Sequence, residues 1–288
     1  MTKKIKMRDD FAVFILTHGR PDNVITYDTL QKFGYNGKCY LVIDNEDKKA
    51  DEYYKTFGKE NVLMFDKLAI SKEFDTVDNS DERRTVVYAR NACFRLAKDL
   101  EIKYFLELDD DYNEFRIRWQ DGTTLKSAKI TDINKLFELM IKFLDKSGAI
   151  TVAFAQGGDY IGGVGSRVWT QQLARKAMNT FFCTVDRPFD FIGRINEDVN
   201  TYTSRGIKGD LMFTIANVMI NQMTTQANAG GMTDVYLDSG TYVKSFFTII
   251  TSPSCTRIST MGNKFRRIHH KILWDKCTPK IINEKYKK

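Results

Sequence analysis

The 288-residue sequence has little cysteine, few histidines and no long hydrophobic run. Its five cysteines are odd in number, widely spaced and without a CxxC pair, which predicts reduced thiols rather than a disulfide framework or a zinc site. No apolar run is long enough to span a bilayer, and the charged start MTKKIKMRDD lacks the hydrophobic region of a signal peptide. These absences predict a cytoplasmic protein with no membrane partner.

Positive charge exceeds negative charge, and its distribution is uneven. The chain holds 44 lysines and arginines against 37 aspartates and glutamates, a net charge of +7 that many proteins carry without a polyanionic partner. The stretch 263–288 is more informative, because it holds nine lysines and arginines against two acids. Such a run is either a solvated tail or a surface that neutralises phosphates, and composition does not separate the two.

Segments typical of strands and helices alternate through the first half of the chain. Apolar runs of strand length lie at 11–16, 38–44, 61–65 and 103–109, and helical patterns lie between them at 23–34, 48–58 and 82–100. Asn23 is the expected cap of the first helix, and Gly34 its stop. Because alternating strands and helices form a parallel sheet covered on both faces, this half is predicted to be doubly wound α/β.

The second half is less regular. It shows a strand and turn at 115–122, a helix at 130–148 capped by Thr131, a strand at 149–155 and a helix start near 196. Two polar segments that contain glycine are predicted loops, at 156–167 and 224–235. The first either allows close approach of a ligand to the backbone or is a plain connector. A single domain spanning 1–288 fits best, since no repeat or low-complexity linker interrupts the chain.

Three adjacent aspartates follow a strand-like run in YFLELDDDYNEF, residues 104–115. Adjacent carboxylates repel one another unless a cation compensates them. Ligands of a parallel sheet bind outside the carboxyl ends of its strands, and strand alternation directs Asp109 and Asp111 to one side and Asp110 to the other. Two carboxylates on one side can hold Mg²⁺ or Mn²⁺, which would neutralise a diphosphate. The alternative is an acidic turn that caps the next segment.

A Rossmann-like first half with Asp-x-Asp after its fourth strand resembles the GT-A family of nucleotide-sugar glycosyltransferases. LTHGRPDN (16–23) is similar to the family's nucleotide-contacting loop after the first strand, and VIDNED (42–47) to the strand end whose acid reads the nucleobase. The resemblance implies a GT-A fold, a Rossmann-like mixed sheet flanked by helices, with a nucleotide-sugar half at 1–112 and an irregular acceptor half at 113–288. The residues it assigns to the donor are Thr17, His18, Gly19, Arg20, Asp44, Arg90, Asp109 and Asp110.

Two further segments resemble parts of the family that take part in catalysis. YARNACFRLA (88–97) resembles the helix before the Asp-x-Asp strand, which implies that Arg90 approaches the diphosphate or the sugar. RINEDVNTY (194–202) resembles the Glu-Asp motif of inverting members, which implies that Asp198, next to Glu197, is the general base.

Each assignment has a simpler alternative. Asp44 would merely cap the following helix, and Arg90 would be a surface residue paired with Glu82 or another acid. Glu197 and Asp198 would be first-turn acids favoured by the helix dipole.

Histidine is scarce, and two of the three histidines, His269 and His270, stand together near the C-terminus in RRIHHKIL. GT-A enzymes often complete the metal site with a histidine from this region, so the resemblance adds these two residues to Asp109 and Asp111 as metal ligands. A neutral imidazole suits manganese. On a strand, one of the pair can face the metal. The alternative is an exposed pair in a basic segment.

The chain also resembles a narrower group, the phage-type glycosyltransferases that modify 5-hydroxymethylpyrimidines in DNA and are related to the base J glucosyltransferase group. This resemblance rests on the overall order of the segments, on THGRPDN and on the extended ELDDDYNEF. This implies a DNA acceptor whose target base flips out of the duplex, and the cytoplasm of a host cell if a phage encodes the protein. Tyr160, Trp169 and Tyr202 would stack on the base or belong to the core.

The sequence therefore predicts a Mn²⁺- or Mg²⁺-dependent inverting glycosyltransferase that moves a sugar from a UDP-sugar to hydroxymethylated cytosine in DNA. One alternative is a GT-A enzyme that acts on a glycan, lipid or protein. Another is a catalytically inactive nucleic-acid-binding protein on the same fold. Retention of both acid pairs favours an enzyme.

Overall fold

A computed structural model describes residues 5–222, 232–262, 266–277 and 284 of the chain, and of 232–241 it describes the backbone alone. Ten strands form one sheet in the order β3-β2-β1-β4-β9-β7-β10-β5-β6, with β8 paired to β10. Their bounds are Phe11–Leu16 (β1), Lys38–Asp44 (β2), Val62–Phe65 (β3), Tyr104–Asp109 (β4), Tyr112–Asp121 (β5), Thr124–Lys129 (β6), Thr151–Ala155 (β7), Leu173–Ala174 (β8), Thr180–Thr184 (β9) and Met212–Gln222 (β10).

Helices flank this sheet, and a second sheet of two antiparallel strands packs on the last helix. The helices are Ile25–Lys32 (α1), Ala50–Phe57 (α2), Lys67–Ser71 (α3), Val87–Asp99 (α4), Ile133–Ser147 (α5), Arg167–Gln171 (α6), Glu197–Ile207 (α7) and Met232–Thr251 (α8). The second sheet consists of Thr256–Met261 (β11) and Arg267–Ile272 (β12). Within the described residues, no helix has both the length and the apolar character needed to cross a membrane.

The doubly wound first half is confirmed. Strands β3, β2, β1 and β4 are all parallel neighbours. Alternate residues of β1 enter two separate cores, because Val13 and Ile15 pack into one cluster and Phe14 and Leu16 into the other. Helix α5 covers the first cluster and α4 the second, so helices bury both faces of the sheet. In this register Leu16 pairs with Asp109, which brings the ends of β1 and β4 together.

Three local predictions about helix starts are wrong. Val24, not Asn23, precedes α1, and Asn23 lies in a turn where its backbone N–H donates to Arg20. Asp132, not Thr131, caps α5, because its carboxylate accepts from the Lys135 N–H at 3.0 Å. Helix α4 begins at Val87 rather than at residue 82. The predicted stop at Gly34 is confirmed, with φ +76°, a conformation that glycine adopts without strain.

The second half mixes parallel and antiparallel pairs, as its irregular pattern indicates. Strand β9 runs antiparallel to β4 and β7, whereas β10 runs parallel to β7 and antiparallel to β5. The predicted loop at 156–167 contains two short 3-10 helices. Of the predicted loop at 224–235, residues 232–235 belong to α8, and the rest lies outside the described residues. The division into a donor half and an acceptor half stays a prediction.

Candidate active site

The loop after β1 is fastened to the acid cluster after β4. The Thr17 hydroxyl donates to Asp110 Oδ2 at 2.7 Å, and Arg20 Nη2 lies 3.1 Å from the same oxygen. The Tyr53 hydroxyl, from α2, accepts from the Arg20 backbone N–H at 2.8 Å. Burial raises the pKa of Asp110, and Arg20 opposes that shift. Asp110 therefore holds the predicted nucleotide loop in place, with its carboxylate almost wholly buried.

Asp44 lies at the end of β2 and anchors the same loop from the other side. One of its oxygens accepts from His18 Nδ1 at 2.8 Å and from Lys67 Nζ at 3.1 Å. The hydrogen bond to Asp44 raises the pKa of His18. The other oxygen accepts from the Glu46 N–H at 3.0 Å, which is a turn contact and not a cap of α2, because α2 begins at Ala50. A nucleobase contact for Asp44 stays a prediction.

Arg90 is the centre of a buried ion-pair network. Its side chain is 1% exposed, and three of its nitrogens face three carboxylates. Nη2 lies 3.0 Å from Asp109 Oδ1, Nε 3.1 Å from Glu197 Oε1, and Nη1 3.7 Å from Glu107 Oε2. The guanidinium also lies 4.8 Å from the Phe181 ring centroid. The alternative of a surface arginine is therefore wrong, and Arg90 joins β4 to the start of α7.

Asp111 is the uncompensated member of the acid cluster. Arg20 pairs with Asp110 and Arg90 with Asp109, whereas Asp111 forms no ion pair with any residue that the structure describes. Burial, followed by the charges of Asp109 and Asp110, raises the pKa of Asp111 to about 7. A divalent cation would relieve this repulsion, and carboxylate oxygens are its preferred ligands. In the described part of the chain, however, no three His, Cys, Asp or Glu side chains form a ready-made metal site.

Glu197 and Asp198 occupy the first turn of α7, as the Glu-Asp pattern predicts, and both are buried. Asn196 precedes them with φ +57°, a left-handed conformation that asparagine tolerates better than most residues. Its side-chain amide donates to the Lys244 carbonyl at 2.7 Å, which fixes the turn. Burial raises the pKa of both acids, and the neighbouring Asp198 charge adds to the shift of Glu197. The helix dipole explains an acid here but not its burial beside Arg90.

The two histidines lie on β12, and His270 contacts Asn196, the residue before α7. His270 is buried, with Nδ1 at 3.4 Å from the Asn196 amide nitrogen. Burial, followed by the neighbouring His269 and the positive charge of Lys244, lowers the pKa of His270 to about 4, so its imidazole is neutral at neutral pH. The structure thus brings His270 to the Glu197–Asp198 turn. The role of either histidine as a metal ligand stays a prediction.

Comparison with known protein families shows the family to which the chain belongs. Residues 11–231 match the family model described as TET-Associated Glycosyltransferase. The chain belongs to the TET-associated glycosyltransferase family. It is a glycosyltransferase that uses a nucleotide sugar, and the family resemblance seen in the sequence is confirmed.

The fold of this glycosyltransferase is also similar to two crystal structures of glucosyl-3-phosphoglycerate synthase from Mycobacterium tuberculosis. One contains Mg²⁺ and uridine diphosphate, and the other contains Mn²⁺, uridine diphosphate and phosphoglyceric acid. The sequence identities are 8% and 9%, each TM-score is 0.45, and each alignment covers 91% of this chain and 87% of the other. Comparison with curated protein sequences gives no match.

Two residues of the glycosyltransferase site, Lys244 and Tyr112, were not predicted from the sequence. Lys244 of α8 lies close enough to Asp198 and Glu197 for their charges to oppose the lowering of its pKa by burial. The Tyr112 hydroxyl lies 3.3 Å from Asp109 Oδ2. Tyr112 follows the acid triplet directly, so its position was a usable signal. Lys244 had none, because a lysine in a helical pattern reads as an exposed residue.

The three aromatic residues suggested for base stacking belong to the core. Tyr160, Trp169 and Tyr202 are 6%, 7% and 6% exposed, respectively. The Tyr160 hydroxyl donates to the Ala216 carbonyl at 2.8 Å, and Trp169 Nε1 donates to Gln120 Oε1 at 3.0 Å. Because their faces pack on other residues, the alternative reading as core residues is the correct one. The five cysteines are free, as predicted.

Proposed function

We propose that this glycosyltransferase is metal-dependent and inverting, and that it transfers a sugar from a UDP-sugar to a hydroxymethylated cytosine in DNA. The observation that carries the proposal is the Arg90 network. It links Asp109, at the strand end where the donor diphosphate is expected, to Glu197, the neighbour of the proposed base. A single buried cation thereby fixes the donor side and the acceptor side relative to each other.

On the donor side, Asp109 and Asp111 would hold Mn²⁺ or Mg²⁺, which would supply positive charge to the departing diphosphate. The fit rests on Asp111, which forms no ion pair within the described residues and lies beside two further carboxylates. Burial first, and the charges of Asp109 and Asp110 second, raise its pKa. Thr17, Gly19 and Arg20 form the loop that faces this strand end. We assign to Arg90 the positioning of Asp109 and Glu197, because the guanidinium is buried among carboxylates.

On the acceptor side, Asp198 takes the proton from the acceptor hydroxyl as that oxygen attacks the anomeric carbon from the face opposite the diphosphate. Burial raises the pKa of Asp198, which makes its carboxylate a stronger base. The Val199 backbone N–H donates to Asp198 Oδ1 at 2.7 Å and so fixes the orientation of the carboxylate. Lys244 lies nearby, and its charge favours the ionised form of Asp198.

The DNA acceptor is supported by exposed basic residues next to this turn. Arg266 and Arg267 are exposed and precede His270 by four and three positions. Since a residue spans at most about 3.6 Å, their backbone lies within roughly 14 Å of His270, which contacts Asn196. A backbone of phosphates would pass along such a rim. Lys264, the third basic residue of this rim in the sequence, lies outside the described residues.

The test of the acceptor is UDP release with a duplex that carries hydroxymethylcytosine, compared with the same duplex carrying cytosine. Wild-type protein should release UDP faster with the modified duplex, and mass spectrometry of the digested DNA should show a nucleoside heavier by one sugar. Asp198→Asn is the control for chemistry. Equal release from both duplexes, with no modified nucleoside, would refute a DNA acceptor.

The basic rim is tested by Arg266→Ala/Arg267→Ala. The double variant should bind any duplex more weakly and flatten the plot of affinity against salt, by roughly one unit of slope for each lost phosphate contact. Arg95→Ala/Lys98→Ala on α4 is the matched control, because it removes the same charge from another exposed surface. An unchanged slope in the rim variant would remove this surface from DNA binding.

A further inference from the structure

A cavity of about 250 Å³ lies in the second half of the chain, and none of the acids of the proposed active site lines it. Its walls come from the glycine-rich segment 156–167, α6, β8 and Trp274, which follows β12. This volume lies just below the range of small-molecule sites, roughly 300–1,000 Å³, so it suits one compact group. Its charged lining consists of Asp159, Arg167, Arg175 and Lys176.

The cavity carries an excess of positive charge, and Arg167 is its uncompensated cation. Lys176 and Asp159 form an ion pair with each other. Arg167 donates from Nε to Gln171 Oε1 at 3.2 Å and lies over the Trp274 ring, 4.5 Å from its centroid. No carboxylate in the described part of the chain lies within salt-bridge distance of Arg167. Its guanidinium therefore has donors available for an anion.

Gly158 leaves one wall of the cavity open. Its φ lies outside the positive range, and a Cβ added there would meet no heavy atom within 4 Å. Neither backbone conformation nor packing therefore requires glycine at this position. A glycine that the fold does not need, at the edge of a cavity, allows a ligand to approach the backbone closely.

The cavity is one side-chain layer away from the proposed base. Trp274, in its wall, stacks on Tyr202 with ring centroids 5.4 Å apart and an interplanar angle of 15°. Tyr202 stands four residues after Asp198 on α7, so the two side chains lie on the same face of that helix. A ligand in the cavity would thus be separated by the stacked rings of Trp274 and Tyr202 from the face of α7 that carries Asp198.

We propose that this cavity binds one phosphate group of the acceptor DNA strand through Arg167, and that it thereby anchors the strand whose hydroxymethylated base enters the site at Asp198. The inference rests on the proposed DNA acceptor. It assigns the glycine-rich segment 156–167 to acceptor binding and gives Arg167 a role in the affinity for the acceptor strand. The chemistry of transfer remains with Asp198.

The experiment compares two ligands that differ by one phosphate, 5-hydroxymethyldeoxycytidine and its 5′-monophosphate, by calorimetric titration. Wild-type protein should bind the nucleotide about tenfold more tightly, the usual effect of a charge-assisted contact. Arg167→Gln should abolish this difference, and Arg167→Lys should keep part of it because the charge remains. Arg95→Gln, on α4, is the matched control and should leave the difference unchanged. Melting temperatures of all variants report whether each is folded.

Kinetics and competition separate this inference from the proposed function. With a hydroxymethylated oligonucleotide, Arg167→Gln should raise KM about tenfold and leave kcat near wild type, since a lost binding contact acts on KM. If the wild type transfers sugar to DNA but Arg167→Gln keeps the preference for the 5′-monophosphate, the inference is overturned and the proposed function is unaffected. No transfer to DNA, together with phosphate-dependent binding through Arg167, would overturn the function and keep the phosphate site. Inorganic phosphate that displaces the nucleotide at equal concentration would overturn the assignment to DNA.

Discussion

Replacing Arg90 with methionine is the sharpest test of the network that joins the two sides of the site. Methionine keeps much of the side-chain length and volume but removes the cation shared by Glu107, Asp109 and Glu197. Arg90 is only 1% exposed, so water cannot take the place of its guanidinium next to these carboxylates. Leaving buried carboxylates without their partner costs roughly 3–5 kcal/mol in the free energy of unfolding.

The expected loss is large enough to measure by heat and by denaturant. At roughly 2–4 °C for each kcal/mol in a large domain, Arg90→Met should lower the melting temperature by roughly 6–20 °C. Transfer activity should fall with it even at temperatures where the variant is folded, because Asp109 and Glu197 lose their common anchor. Urea unfolding at pH 7.5 without divalent metal gives the free energy directly.

A double-mutant cycle shows whether the cost comes from the ion pairs. Combining Arg90→Met with Glu197→Gln removes one of the stranded charges, so the double variant should be less destabilised than the sum of the single variants, by roughly 1–3 kcal/mol. Arg95→Met is the matched control on the same helix. Its partner Glu73 is half exposed, so removing this pair should cost at most about 1 kcal/mol.

Two results would refute the reasoning about Arg90. One is a loss of stability in Arg90→Met no greater than in Arg95→Met. The other is additivity in the cycle to within about 0.5 kcal/mol, which is the behaviour of independent sites. Either result would mean that Arg90 does not hold Asp109 and Glu197 in the folded protein.

Three further predictions follow from the site. Asp111→Asn should abolish transfer and the effect of Mn²⁺ on UDP binding with no loss of folding, and normal turnover of this variant in EDTA would contradict metal dependence. Asp198→Asn should lose transfer by roughly two to four orders of magnitude with little change in donor affinity, as measured by steady-state kinetics and UDP-sugar titration; a comparable loss of donor binding would move Asp198 to the donor side. Asp44 raises the pKa of His18 above its usual 6.5, so the stabilising charge on His18 is complete below pH 6.5 and is lost as the pH rises through the folded pKa. An NMR titration should show that shift in wild type and its loss in Asp44→Asn, and a wild-type His18 that titrates at or below 6.5 would rule out the contact.

The sequence by itself determined the parallel half of the sheet. Strands β1 and β4 are largely apolar runs bounded by turn residues, and both are buried along almost their whole length. Strands β2 and β3 carry the same kind of run and are buried in part. The position of Asp109, Asp110 and Asp111 at the end of β4 follows from that pattern alone. The sequence also predicts the Glu-Asp pair in the first turn of α7, because the helix dipole favours acidic residues at a helix start.

The starts of α1, α4 and α5 were local features that the sequence left open. Asn23 and Thr131 are good cap residues by type, yet neither caps a helix. Asp132, one residue after Thr131, directly precedes α5, and its carboxylate accepts a hydrogen bond from the Lys135 N–H in the first turn. A cap depends on backbone angles at one residue, and neighbouring candidates of similar propensity do not reveal which of them adopts those angles.

The tertiary structure alone decided what the polar residues do. Nothing in the pattern of α4 shows that Arg90 would be buried, because its partners lie 17, 19 and 107 positions away in the chain. The same holds for His270, which packing of α8 against β12 brings to Asn196, and for the cavity that Arg167 shares with Trp274. Periodicity reports which face of one element is apolar. It does not report which elements meet, and the burial of a charge is favourable only where distant residues supply its partners.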